Sequence, residues 1–157
     1  MKLFVITDLN RSLMRAKLLP LIHSDWVEEI VWLSRRHGPE WSKVRYVTSA
    51  DSGSLVKRSW DMLLAAIRQV RSSRPDLVMA YNIVPFGLIA CLISRWFRIP
   101  LALNIIGGSL EIEGGGYQIE NRILSRLKGP SPKVERALVH VLKLADFGAS
   151  FDTSALT

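Results

Sequence analysis

The sequence predicts an α/β fold: a Rossmann-like, doubly wound parallel sheet of about six strands with helices on both faces. Three observations carry this expectation. Short runs rich in Val, Ile and Leu alternate with stretches of helical periodicity. The strand candidates are apolar throughout rather than alternating, as in strands covered on both sides. The 157 residues, 48% apolar and 22% charged, suit one compact domain with a sizeable core.

Residues 3–7 (LFVIT) form the first expected strand. Residues 12–22 read as a helix carrying Leu13, Met14, Ala16, Leu18 and Leu19, with Pro20 expected to end or kink it. Residues 29–34 (EIVWLS) and 43–47 (KVRYV) are the second and third strands. The helix over 54–72 has the clearest pattern: Val56, Trp60, Leu63, Leu64, Ile67 and Val70 recur at three- and four-residue steps as its apolar stripe. Arg74-Pro75-Asp76 breaks the chain before a fourth strand over 77–81 (LVMAY). Residues 86–97 are an apolar helix, shorter than the roughly 20 residues of a membrane span, and read as a buried crossover. The turn Arg98-Ile99-Pro100 leads to the fifth strand, 101–106 (LALNII). Helices over 117–127 and 133–144 follow, and residues 147–150 form a short sixth strand.

The net charge is +7, and 13 of the 21 Lys and Arg fall within residues 1–75. A basic surface favours anionic partners such as phosphorylated ligands or an acidic membrane leaflet, or simply keeps a chain soluble. No basic run exceeds two residues and no aromatic-glycine RNA-binding motif occurs, so no nucleic-acid partner is expected. The single cysteine, Cys91, excludes an intrachain disulfide and any CxxC zinc or redox site, and reads as a small buried hydrophobe. Asp8 interrupts the N-terminal apolar run too early for a signal-peptide core, so a cytoplasmic chain is expected.

In an open parallel sheet, ligands bind beyond the carboxyl ends of the strands. The loop Asp8-Leu9-Asn10-Arg11 has no glycine, and the chain has no phosphate loop of the GxxxxGK type. Nicotinamide, flavin and P-loop nucleotide chemistry are therefore not expected, and neither a cofactor nor a metal is. The loop after the fourth strand begins with Asn82, which suits either hydrogen bonding at the sheet edge or capping of the next helix. The loop after the fifth strand is Gly107-Gly108-Ser109-Leu110-Glu111-Ile112-Glu113-Gly114-Gly115-Gly116, which holds five of the ten glycines. It reads either as a ligand loop, its backbone approaching a sugar oxygen and Glu111 and Glu113 facing sugar hydroxyls, or as a flexible surface loop. His23, His37 and His140 have no partner at a ligand or catalytic spacing. Trp60, Lys57 and Arg58 on the helix over 54–72 suit an anionic membrane surface; ordinary packing on the sheet is the other reading.

Arg74 to Asn82, the following proline-glycine loop and apolar helix, and Ile99 to Gly108 together resemble the N-terminal domain of family 4 glycosyltransferases, which have the two-domain GT-B fold. The likeness continues to Ala145-Asp146 and the closing strand, and 107–117 is similar to a GG-x-x-E-x-x-GGGY loop of some bacterial members. The resemblance implies a retaining transferase that moves a sugar from a nucleotide sugar to an acceptor. It implies that this chain is the acceptor-side domain over 1–157, without the C-terminal donor-binding domain, and inactive alone. Asn82, Gly107, Gly108, Ser109, Glu111 and Glu113 are then expected to line the acceptor cleft. Arg11 and Arg15 are expected to attract an anionic acceptor or lipid phosphate. Many members end the fifth strand with a histidine; Ile106 stands there, and no catalytic residue is assigned. The alternatives are a non-catalytic flavodoxin-like binding module and a membrane-associated partner subunit.

Overall fold

The computed structural model of the chain describes residues 1–49, 53–106, 112, 124–126 and 129–150. Six strands form one sheet: β1 (Lys2–Ile6), β2 (Glu29–Ser34), β3 (Val44–Thr48), β4 (Leu77–Tyr81), β5 (Leu101–Ile105) and β6 (Phe147–Ser150). Their order is β3-β2-β1-β4-β5-β6 and every neighbouring pair is parallel. This is the doubly wound order whose direction reverses between β1 and β4. It differs from the flavodoxin-like order 2-1-3-4-5, which weighs against that alternative.

Four α-helices are described: α1 (Arg11–Ile22), α2 (Leu55–Ser72), α3 (Leu88–Phe97) and α4 (Pro132–Lys143). Asn10 caps α1 by accepting from the Leu13 amide at 2.9 Å, and Ser54 caps α2 through the Lys57 amide. The helix at α1 continues two residues past Pro20, so the expected stop does not occur there. Of the expected helix over 117–127, only a 3₁₀ turn at Leu124–Arg126 is among the described residues.

Register explains the two cores. Val31, Phe4, Val78 and Leu101 stand side by side across four strands. Beneath them lie Met62, Ala66 and Val70 of α2 and Ile89, Ala90 and Ile93 of α3. One residue along, Trp32 and Val5 point to the other face and pack on Met14 and Leu18 of α1. Continuous apolar strands were expected for this reason: both faces are covered. Each fully buried side chain contributes about 1.5–3 kcal/mol relative to exposure.

Two expectations about faces are corrected. The buried stripe of α2 is Met62, Ala66, Gln69 and Val70, whereas Val56 and Trp60 point outward. Helix α3 is buried on one side only; Leu88, Leu92 and Trp96 are exposed. The apolar content of both helices exceeds what one sheet face can cover.

Two aspartates rivet the sheet. Asp76, just before β4, accepts from the Lys2 amide of β1 at 2.7 Å while its own amide donates to Lys2. Asp146, just before β6, repeats the device on Leu101 of β5 at 2.9 Å. Arg74 donates to the carbonyls of Phe97 and Arg98 at the end of α3. The Arg-Pro-Asp and Ala-Asp segments therefore do structural work at the amino-terminal edge of the sheet.

Candidate functional site

The carboxyl rim is where the sheet changes character. Just below it Val47, Leu33, Ile6, Ala80 and Leu103 form an apolar row; the last row is Thr48, Ser34, Thr7, Tyr81 and Asn104. Pairings Ser34–Thr48 and Tyr81–Asn104 are direct, and Thr7 follows Ile6, which pairs with Leu33 and Ala80. Thr7 and Ser34 are fully buried, and Tyr81 and Asn104 nearly so. Polar side chains buried at this depth require partners, because an unmet donor or acceptor costs about 1–3 kcal/mol.

One of them has none, and neither do two groups just past the row. The Thr7 hydroxyl, the Oδ1 of Asp8 and the Ser49 hydroxyl are buried without a hydrogen-bond partner. The other oxygen of Asp8, Oδ2, accepts from Arg35 at the end of β2 in an ion pair, and the Asp8 side chain is 8% exposed. Thr7 and Asp8 end β1, at the point where the strand order reverses. Trp32, Trp41 and Gln69 also carry a buried nitrogen without a partner, but only at the end of β1 do two unpartnered oxygens stand on consecutive residues. In the sequence this loop stands out for its missing glycines and for Arg11, not for Thr7 or Asp8. The available signal was a Thr-Asp pair closing an otherwise apolar buried strand.

On the neighbouring strand, Asn82 follows β4 with φ 69°, ψ 145°, a left-handed region that strains a side chain other than glycine. Its amide donates to Asn104 and its carbonyl accepts from Gly87, both at 3.0 Å. Its side chain makes no capping bond, so the capping reading is not realised. The chain then passes through a π turn at Ile83–Gly87 into α3.

Arg11 and Arg15 are exposed, one helical turn apart in the first two turns of α1. No acidic residue stands in that first turn, so its partial positive charge adds to theirs. Gly107, Gly108, Ser109, Glu111 and Glu113 lie outside the described residues; Ile106, just before them, is half-buried after β5.

Burial shapes the titration of the rim. It pushes the Tyr81 phenol up to about 12. Lys17 of α1 lies 5.9 Å from the Tyr81 ring centre, and burial lowers its ammonium. Burial also pushes the Cys91 thiol up, against a smaller opposing pull from Arg95. Among the described residues no group of three His, Cys, Asp or Glu is placed to hold a metal, and no helix is long and apolar enough to cross a membrane. A groove of about 590 Å³ runs along α4 beside Ile112, Glu135, Arg136 and His140. It is open to solvent and lies apart from the unpartnered polar atoms of the rim, so the rim is the better candidate.

No protein-family model matches the chain, and no curated protein does. Solved structures match its fold. UDP-GlcNAc 2-epimerase from Methanocaldococcus jannaschii superposes with a TM-score of 0.59 at 14% identity, over 99% of this chain and 40% of that one. A putative UDP-N-acetylglucosamine 2-epimerase from Listeria monocytogenes gives 0.60 at 14%, over 98% and 40%. MurG from Acinetobacter baumannii gives 0.56 at 10%, over 98% and 41%. The chain thus spans about two-fifths of these structures and shares its fold with enzymes of the GT-B type.

Proposed function

We propose that the chain is the acceptor-binding, N-terminal-type half of a retaining GT-B glycosyltransferase. It acts on a nucleotide sugar only together with a donor-binding domain or partner chain. The observation that carries this reading is the pair Thr7 and Asp8, which follow β1 at the strand-order reversal, each with a buried side-chain oxygen left unpartnered. Sugar hydroxyls both donate and accept. A carboxylate oxygen and a hydroxyl on one rim match them, and the Arg35 ion pair fixes the carboxylate in place. Asn82, Gly107, Gly108, Ser109, Glu111 and Glu113 extend the cleft wall, and Arg11 and Arg15 attract an acceptor phosphate.

The fold likeness supports a sugar-nucleotide enzyme and by itself favours neither epimerase nor transferase. The transferase reading rests on the resemblance of residues 74–116 to family 4.

The test is a transfer assay with a panel of nucleotide sugars and glycosyl acceptors. The chain alone is expected to give no turnover. Adding a donor-binding domain should restore transfer with the anomeric configuration kept. In that reconstituted enzyme, Asp8→Asn, assayed below its own melting temperature because the change also removes the ion pair with Arg35, should lower transfer at least tenfold, about 1.4 kcal/mol. Robust transfer by the chain alone, or full activity of Asp8→Asn, contradicts the proposal.

A further inference from the structure

Helices α2 and α3 lie side by side on the same face of the sheet. Both are crossovers between parallel strands, so both run opposite to the strands and parallel to one another. Their outward sides are unlike an ordinary solvated surface. On α3, Leu88, Leu92 and Trp96 repeat every four residues, with Leu92 57% and Trp96 67% exposed. At 1.5 Å per residue that stripe is about 12 Å long. On α2, Trp60 is 60% exposed, and Lys57, Arg68 and Arg71 share the open side. Across the two helices there are five Lys or Arg and one acid, Asp61.

We propose that this two-helix face docks onto an anionic lipid bilayer, with Trp60, Leu92 and Trp96 entering the headgroup boundary and Lys57, Arg68, Arg71 and Arg95 drawn to the acidic headgroups. The composition is that of an interfacial surface: aromatic and aliphatic side chains beside a basic field in which Asp61 is the one acid. The lopsided charge selects the occupant. A second copy of the same face would set basic side chains against basic side chains, whereas a bilayer with acidic lipids complements them. No described helix can cross the membrane, so the contact is peripheral. The face belongs to the helical layer rather than the carboxyl rim, so this inference is independent of the proposed sugar chemistry.

Co-sedimentation with vesicles tests it. The chain should bind vesicles of equimolar phosphatidylcholine and phosphatidylglycerol and not vesicles of phosphatidylcholine alone, and added salt should weaken binding. Leu92→Glu/Trp96→Glu should lower partitioning at least tenfold. Arg68→Gln/Arg71→Gln should lower it about twenty-five-fold, near fivefold for each charge removed. Trp26→Glu, a control at a tryptophan that is 82% exposed between α1 and β2, should leave it unchanged. Thermal melts by circular dichroism establish that each variant is folded; Trp96→Ser replaces the double glutamate variant if that one melts early. No binding to the mixed vesicles overturns the proposal. So does binding that both double variants retain, and so does loss of binding in the Trp26 control alone.

Discussion

Asp8 follows β1 and Asn82 follows β4, the neighbouring strands between which the order reverses. Asp8 keeps a buried oxygen without a partner, and Asn82 keeps a strained backbone. If the strain at Asn82 is intrinsic to its φ, glycine relieves it and a β-branched residue worsens it. Asn82→Gly should hold or raise the melting temperature, whereas Asn82→Val should destabilise by about 1–3 kcal/mol in denaturant titrations. Tyr81 gives a prediction with a definite sign. Burial raises its phenol to about 12, while the unfolded phenol titrates near 10. Between about pH 10 and 12 the unfolded chain has released this proton and the folded chain still holds it, so stability falls as pH rises through that window and is complete below it. The loss reaches roughly 2–3 kcal/mol at the top of the window. Lys17, lowered by burial, acts with the opposite sign over its own range. Melts by circular dichroism across that window, compared with Tyr81→Phe, isolate the phenol: the variant should show a flatter decline. Asn82 was legible as a site candidate because loops after parallel strands are few and short. Thr7, Asp8 and Arg35 were not, because their importance lies in which atoms remain unpartnered, and periodicity carries no such information.

At the scale of elements, most boundaries followed from apolar runs and from turn residues. The second, fourth and sixth strands fall where expected, and the others shift by about one residue, within the usual fraying of such ends. What departed was the first turn of the α2 stripe and the outer side of α3. Leu63, Ile67 and Val70 pack on the core beside Met62 and Ala66, whereas Val56 and Trp60, which fit the same stripe by spacing, are exposed. A helix with apolar residues on two sides has two admissible stripes, and only the sheet decides between them. The strand-edge aspartates were quoted as part of a resemblance; the structure gives them a physical role. Asp76→Ala and Asp146→Ala should each destabilise by about 1–3 kcal/mol, because each removes a carboxylate hydrogen bond to the first amide of a neighbouring strand. Gly87 closes the turn after β4, and a Cβ there would sit 3.0 Å from the Asn82 carbonyl and 3.4 Å from Leu103. Gly87→Ala should therefore cost about 1–3 kcal/mol through overpacking.

At the scale of the molecule, the doubly wound topology brings the ends of β1, β4 and β5 to one rim although the residues concerned lie about a hundred positions apart in the chain. That arrangement was predictable because a parallel sheet with crossover helices admits few strand orders and one handedness. The glycine-rich segment after β5 and its glutamates lie outside the described residues, so the cleft wall over 107–113 stands as a proposal built on sequence. The proposed sugar site at the β1/β4 rim and the proposed membrane contact on the α2/α3 face are two surfaces that a single spectrum separates. Backbone amide chemical-shift mapping with a panel of glycosides is the direct measurement. Binding at the rim predicts shifts at Thr7, Asp8, Arg35, Asn82 and Ile106 that vanish in Asp8→Asn, with the amides of α2 and α3 undisturbed. Saturable glycoside binding whose shifts spare Thr7, Asp8 and Asn82 would contradict it.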